Sequence, residues 1–292
     1  MNGCASSPPT PPRGTEPGDT IPEGDVVYRT AAALRRALDG RVLTRSEFRV
    51  PRYATADLRG RVVRETVSRG KHLLTRVEGD LTVHTHMRMD GSWRIVPAGD
   101  GRGGPPGIRA GDTVRLVLGN DEWLALGVRL GVVDLLPTGL EYRAVGHLGP
   151  DPLGPDWDAE EAARRLRRAP ERPVGEALLD QRNIAGLGTI YGSETLFVAG
   201  VSPWRPAGAV EDLAGLAALA RRMLEAHKEP GGRHGLPVAT GDPHPGRRVW
   251  VYGRGGRPCL RCGTPVGVAD MGAAGNEGRK RPLYWCPSCQ QA

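Results

Sequence analysis

The chain has 292 residues, enough for one large domain or two to three small ones with a sizeable core. No apolar run approaches the roughly 20 residues that span a bilayer, and no apolar stretch of a secretory signal opens the chain. These features argue against a membrane partner and predict a cytoplasmic protein. Forty Lys and Arg against 33 Asp and Glu leave a formal charge of +7, unevenly spread, for between Arg247 and Ala292 seven Arg and one Lys face two acids. A basic end of this kind suits a polyanion such as nucleic acid, the plain alternative being a solvated charged face.

Residues 1–21 read as a disordered tail: five prolines and almost no bulky apolar side chains cannot bury enough surface to fold. From "PEGD" at 22–25 the pattern changes. Val27, Ala31, Leu34 and Leu38 share one helical face, with Asp25 as the expected N-cap and Gly40 as the C-terminal stop. Residues 41–135 then alternate apolar and polar positions in seven runs, from "RVLTRSEFRV" to "EWLALGV", with a hairpin turn at "GND", 119–121. This predicts an antiparallel β-sandwich or flattened barrel. Beyond "LGPDPLGPDW" the period becomes helical. Asp158 with Glu161 forms a capping-box pattern, and "VGEALLDQ", "TIYGSETLFVAG" and "EDLAGLAALARRMLEAHKE" follow, broken by Gly or Pro. The expected divisions are 22–150, 151–245 and 246–292 after the tail.

Five cysteines are present, Cys4 in the tail and the rest as "CLRC" and "CPSC". Cys259, Cys262, Cys286 and Cys289 thus make two C-x2-C pairs, the spacing of a tetrahedral zinc site in which thiolates fill all four positions. Two disulfides are the alternative, disfavoured by a reducing cytoplasm. His84 and His86, two apart on a strand, share a face without implying a metal pair.

Four ordered stretches narrow the reading: "PEGD" at 22–25, "SRGKHLL" at 68–74, "LLDQRNIAGLGTIYGSE" at 178–194 and "RPLYWCPSCQ" at 281–290. Together they resemble the formamidopyrimidine-DNA glycosylase and endonuclease VIII family of base-excision repair. "SRGKHL", "MDGSWR" and "WVYGR" look most like its actinobacterial endonuclease VIII branch. The resemblance runs from Pro22 to Gln290. It implies an α+β multidomain fold: an N-terminal antiparallel β-sandwich with flanking helices, a helix-two-turn-helix domain and a C-terminal zinc-finger β-hairpin. It also implies a monomer acting on double-stranded DNA that contains damaged bases or abasic sites, with one structural zinc.

The family's residues carry over position by position. Pro22 becomes the nucleophile, its secondary amine attacking the anomeric carbon of the damaged nucleotide to give a Schiff base. Glu23 becomes the acid–base residue that protonates the sugar ring oxygen. Lys71 and Arg281 are implied to grip phosphates beside the lesion, Lys71 also assisting elimination; a guanidinium fork can hold two phosphate oxygens. Arg88 and Met89, in "HMRMDG", match the loop that fills the space left by a flipped nucleotide. Arg129 is implied as a second intercalating element and His147 as a basic DNA contact. Thr189 stands where relatives place an Asn that binds phosphate. Relatives of the formamidopyrimidine type carry Glu three residues beyond the catalytic one, where this chain has Val26, which favours oxidised pyrimidines over oxidised purines. The expected function is therefore a bifunctional DNA glycosylase and abasic-site lyase that nicks by β,δ-elimination. The alternatives are the same chemistry on purine lesions, or a non-catalytic binder of damaged DNA. In the chain as written, Pro22 nitrogen is a tertiary amide, whose delocalised lone pair forms no Schiff base. The active form is expected to begin at Pro22.

Overall fold

The computed structural model describes residues 22–99, 113–228, 237–272 and 280–291; the Pro-rich tail and Cys4 lie outside the described residues. Helix α1 spans Gly24–Leu38, with Val27, Ala31, Leu34 and Leu38 all buried on its apolar face. Asp25 is not its N-cap: the helix starts one residue earlier, and the Asp25 carboxylate sits in the first turn, paired with Arg29 at 3.0 Å. A carboxylate there still suits the positive end of the helix.

Eight strands follow: β1 (Arg45–Phe48), β2 (Val63–Arg69), β3 (His72–Val77), β4 (Leu81–His86), β5 (Ser92–Pro97), β6 (Val114–Gly119), β7 (Trp123–Val128) and β8 (Val132–Pro137). They form two four-stranded sheets, in the orders β1-β6-β7-β5 and β2-β3-β4-β8. β6 and β7 meet through the predicted turn, where the Asn120 side-chain oxygen accepts from the N–H groups of Glu122 and Trp123. Strand β8 escaped the sequence reading. "VVDLLP" is a short apolar run without clean alternation, and only its antiparallel register with β4, from Val132 opposite His86 to Pro137 opposite Leu81, assigns it. Val114, Val117, Leu124, Leu126 and Val128 form one of the buried clusters, and β7 is buried along its whole length.

The helices beyond the sheets are α2 (Tyr142–Val145), α3 (Ala159–Leu166), α4 (Val174–Leu179), α5 (Thr189–Ala199) and α6 (Leu213–Glu225). Asp158 caps α3 by accepting from Glu160 and Glu161 N–H, as its spacing predicts. Every residue of α5 from Thr189 to Phe197 is buried, so this helix is covered all round, and its polar side chains must find partners inside. Gly200, at φ +68°, ends it in the left-handed conformation. Strands β9 (Gly267–Met271) and β10 (Arg281–Trp285) pair antiparallel near the chain's end.

Two compact units emerge, and they do not follow chain order. One holds Thr30–Val67 and Leu74–Thr138, the sheets' main body; the other gathers residues 22–29, Ser68–Leu73 and the chain from Gly139 onward. The second unit contains Pro22, Glu23, Lys71 and Arg281.

Candidate active site

The site is built on three glycines. Gly186, at φ +85°, would carry a Cβ only 3.4 Å from Gly24 Cα and 3.5 Å from Gly70 Cα. Any side chain at Gly186 would be strained by that φ. The bare contact brings three distant segments together, each presenting its next residues to a common space: Glu23 before Gly24, Lys71 after Gly70, and the start of α5 after Gly186. Gly24 N–H donates to Gly186 O at 2.9 Å and seals the junction.

Glu23 is 1% exposed. Its carboxylate accepts from Gly188 N–H (2.9 Å), Ile190 N–H (2.8 Å) and Tyr191 N–H (3.3 Å), all at the N-terminus of α5. Those amides have no partner within the helix and attract negative charge, so they form an anion cradle. Burial nevertheless raises the Glu23 pKa above the ordinary carboxylate value; Lys71 and the amides from Ile190 and Tyr191 pull the other way. The cradle is therefore occupied from within the chain. The helix-end amides beside Thr189 serve Glu23, a role that the sequence does not disclose.

Lys71 Nζ donates to Leu187 O at 2.7 Å, and its residue is half-buried. Desolvation lowers its pKa to about 8, with Glu23 opposing and Arg281 reinforcing the shift. Lys71 thus lies within electrostatic range of both Glu23 and Arg281, the first residue of β10. Pro22 is buried beside Glu23. Two residues that the sequence did not single out brace this arrangement. Asp151 accepts Gly70 N–H at 2.6 Å and Leu153 N–H at 3.0 Å, fixing the β2–β3 turn that carries Lys71. Gln181 accepts Gly186 N–H at 2.9 Å and donates to Leu187 O at 2.7 Å, fixing the turn before α5.

Thr189 is 5% exposed, and its hydroxyl hydrogen-bonds with the Tyr252 phenol. Burial first, then the charge of Glu23, raises the Tyr252 pKa. One turn further along α5, Glu194 is fully buried and accepts from Trp250, Val251 and Tyr252 N–H at 2.8, 2.9 and 2.9 Å. Ser193 Oγ accepts Tyr284 N–H at 3.2 Å. Phe197 stacks on Trp250 and joins a cluster with Val251, Val266, Cys259 and Cys286. The same helix that holds Glu23 at its start therefore clasps the cysteine-bearing hairpin along its side.

The sulfurs of Cys259, Cys262, Cys286 and Cys289 lie within 4.8 Å of one another, and all four are free thiols. Arg261 N–H points at Cys259 Sγ (3.4 Å), and Gly263, at φ +81°, turns the chain back so that its N–H reaches Cys259 O at 2.9 Å. Four converging sulfurs with a backbone N–H aimed at one of them fit a tetrahedral metal centre.

His147 is exposed, and its ring meets that of His72, beside Lys71, edge-on at 6.4 Å. Arg88, Met89 and Arg129 belong to the other unit. Met89 is 55% exposed at the tip of the β4–β5 loop. Arg88 and Arg129 both hold positive φ, +56° and +47°, and the Arg88 side chain lies against Gly131. Two strained non-glycine residues thus sit in adjoining loops, as functional loops often show.

Two family models match: the formamidopyrimidine-DNA glycosylase N-terminal domain over residues 21–129 and the formamidopyrimidine-DNA glycosylase H2TH domain over 148–227. A probable endonuclease 8 2 of Streptomyces coelicolor is 53% identical over 92% of this chain and 94% of its own length. A DNA-(apurinic or apyrimidinic site) lyase Nei2 of Mycolicibacterium smegmatis is 45% identical over 93% of this chain and all of its own. Among solved structures, a Lactococcus lactis Fpg in complex with DNA containing an abasic site has the same fold, with a TM-score of 0.73 at 23% identity over 92% of this chain and 100% of that one. By sequence, by fold and by the order of its motifs, the chain belongs to the formamidopyrimidine-DNA glycosylase and endonuclease VIII family.

Proposed function

We propose that this protein is a bifunctional DNA glycosylase and abasic-site lyase of base-excision repair. The observation that carries the reading is the Glu23 cradle beside Pro22, with Lys71 and Arg281 in electrostatic range. Its relatives bear the names endonuclease 8, abasic-site lyase and formamidopyrimidine-DNA glycosylase, which support both halves of the reaction.

In this reading the Pro22 secondary amine attacks the sugar's anomeric carbon. Glu23, whose pKa burial raises, protonates the ring oxygen, the ring opens and the base departs. The iminium acidifies the neighbouring C2′ proton, and successive eliminations expel the 3′ and then the 5′ phosphate. Lys71 and Arg281 hold those phosphates, while Arg88, Met89 and Arg129 fill the space vacated by the flipped nucleotide and His147 adds a backbone contact. Thr189 acts on phosphate through the Tyr252 phenol that it orients rather than alone. Val26 at the diagnostic position favours oxidised pyrimidines. The site of action is DNA in the cytoplasm; no described helix is long and apolar enough to cross a membrane.

The chemistry requires a free Pro22 amine, so the working form begins at that residue. The N-terminal family model begins at residue 21, which supports this start. The test compares the uncut 292-residue chain with one begun at Met-Pro22 and trimmed, on duplexes bearing an oxidised pyrimidine or an oxidised purine. The Pro22-start chain should excise the pyrimidine lesion faster and the uncut chain should excise neither. Equal excision by both would refute the Pro22 assignment.

The metal is one zinc held by Cys259, Cys262, Cys286 and Cys289, with no open position and a purely structural role: it stiffens the hairpin that carries Arg281. Elemental analysis should find one zinc per chain, and Cys286→Ala should lose both the metal and DNA affinity. Zinc-free protein with full DNA affinity would overturn this.

A further inference from the structure

Two loops cross from one four-stranded sheet to the other at the same end of the sandwich. The first, residues 87–91, joins β4 to β5; the second, residues 129–131, joins β7 to β8. β4 and β8 are neighbours in one sheet, and β5 and β7 are neighbours in the other. Where the loops leave the strands, His86 stands opposite Val132 and Ser92 opposite Val128. The ladders therefore run the two loops side by side, and a residue just past β4 meets one just before β8.

That meeting is Arg88 on Gly131. A Cβ on Gly131 would run into Cγ and Cδ of Arg88 and lie 2.9 Å from its Cβ, so the bare glycine is what leaves room for this side chain. Gly131 does not hold a positive φ, and its bareness thus serves the neighbour and not its own backbone. The rest of each loop is fixed from below. Arg88 N–H donates to His86 Nδ1 at 2.9 Å, and Gly91 N–H donates to Met87 O at 3.0 Å. Arg129 N–H donates to Thr113 O at 2.8 Å, and the buried Leu130 packs its side chain against Gly127. Arg115, on β6, donates to Leu130 O at 2.5 Å. Arg88 and Arg129 hold positive φ, which non-glycine residues keep only where the surroundings impose it.

We infer that the two loops act as a single preformed wedge, with Gly131 and Arg115 as its positioning residues. Gly131 seats Arg88, and Arg115 holds the turn on which Gly131 lies. The inference rests on the repair reading above, in which Arg88 and Met89 fill the space left by the flipped nucleotide. What the wedge recognises is a lesion still stacked and paired within a duplex. Opening such a site costs unstacking and unpairing, which the inserted side chains must offset. Loops already held in the inserting shape lose little freedom on binding, so more of their contact energy goes into opening the helix. A lesion that is already unpaired needs no such help. Gly131 and Arg115 therefore set how well the protein works on paired DNA, without touching the reacting sugar.

The test places one lesion in two settings, paired within a duplex and inside a short bubble of unpaired bases between duplex arms. In the Pro22-start chain, Gly131→Ala should lower the ratio of paired to bubble excision at least about tenfold, since a displacement of about 1 Å can cost more than that. Arg115→Met should lower the same ratio, and Arg115→Lys, which keeps a donor for Leu130 O, should recover part of it. Arg88→Gly closes the cycle, because glycine takes the positive φ freely and presents no side chain to clash. Gly131→Ala added to Arg88→Gly should then change the ratio by no more than about twofold. A ratio unmoved by Gly131→Ala, whether both rates fall together or neither falls, overturns the inference. So does a loss as large in the Arg88→Gly background as in the parent, for then the seat is not its cause. In each of these outcomes the parent excises the lesion and the repair reading stands. If the parent excises from neither substrate, the repair reading falls and takes this inference with it.

Discussion

Two buried carboxylates meet at helix α5, Glu23 at its start and Glu194 within it. At its N-terminus Glu23 accepts three backbone N–H groups, from Gly188, Ile190 and Tyr191; on its flank Glu194 accepts three, from Trp250, Val251 and Tyr252. Burial raises the pKa of both. The cations beside them differ. Near Glu194, Arg254 is committed to the carbonyls of Gly246 and Pro258 at 2.5 and 2.9 Å. Beside Glu23 stands Lys71, an amine brought to about 8 and able to change charge near neutrality. Backbone amides therefore immobilise a carboxylate in either role. The neighbour of one is an amine that can change its charge, which fits the proposed acid–base group, and the neighbour of the other is a permanent cation held by two carbonyls, which fits a rivet.

The comparison is broken most sharply by Glu23→Gln. Losing the acid–base group should lower base excision about 10²–10⁴-fold while affinity for abasic DNA stays within a few fold. Excision at the unaltered rate would show that the two carboxylates are alike and that neither does chemistry. In the unsubstituted enzyme, excision should also fall as pH rises through the raised Glu23 value, because the acid must hold its proton before the base leaves.

Glu194→Gln should act through stability instead. A carboxamide turns a donor toward the three N–H groups and leaves at least one unsatisfied, at about 1–3 kcal/mol. Thermal unfolding should reveal this loss, with the shape of the pH–rate profile unmoved. A shifted profile would make Glu194 a chemical participant and end the distinction.

Arg281→Ala is the mildest case and bears on what the clasped hairpin is for. Removing one phosphate contact should lower the slope of log affinity against log salt by about one unit. An unchanged slope would separate the hairpin from the DNA path.

How much of this was legible beforehand follows from the kind of bond each residue makes. The cysteine pairs were readable because the ligand spacing is local, and the helices because Gly and Pro punctuate their 3.6-residue period. Pro22, Glu23, Lys71 and Arg281 stood in the short motifs that carry the family resemblance. Asp151, Gln181 and Glu194 were invisible because most of their partners are backbone groups. Glu194 reaches N–H groups 56 to 58 residues away, and an N–H leaves no mark in the sequence. The bond between Thr189 and Tyr252 was hidden because the two residues lie in different motifs. β8 was missed for another reason: a six-residue apolar run without alternation is equally a strand or a buried turn until a neighbour pairs with it.

The three-glycine junction also has a consequence in time. Its bonds close very long loops, 116 residues from Lys71 to Leu187 and 165 from Glu23 to Gly188, whereas the paired cysteines and the β9–β10 ladder close short ones. Contacts of long sequence separation carry the larger entropic cost and tend to form late. On dilution from denaturant, the cysteine cluster and the β9–β10 hairpin should form first and excision return last, so that the refolding molecule passes through a partly folded stage in which it has no active site.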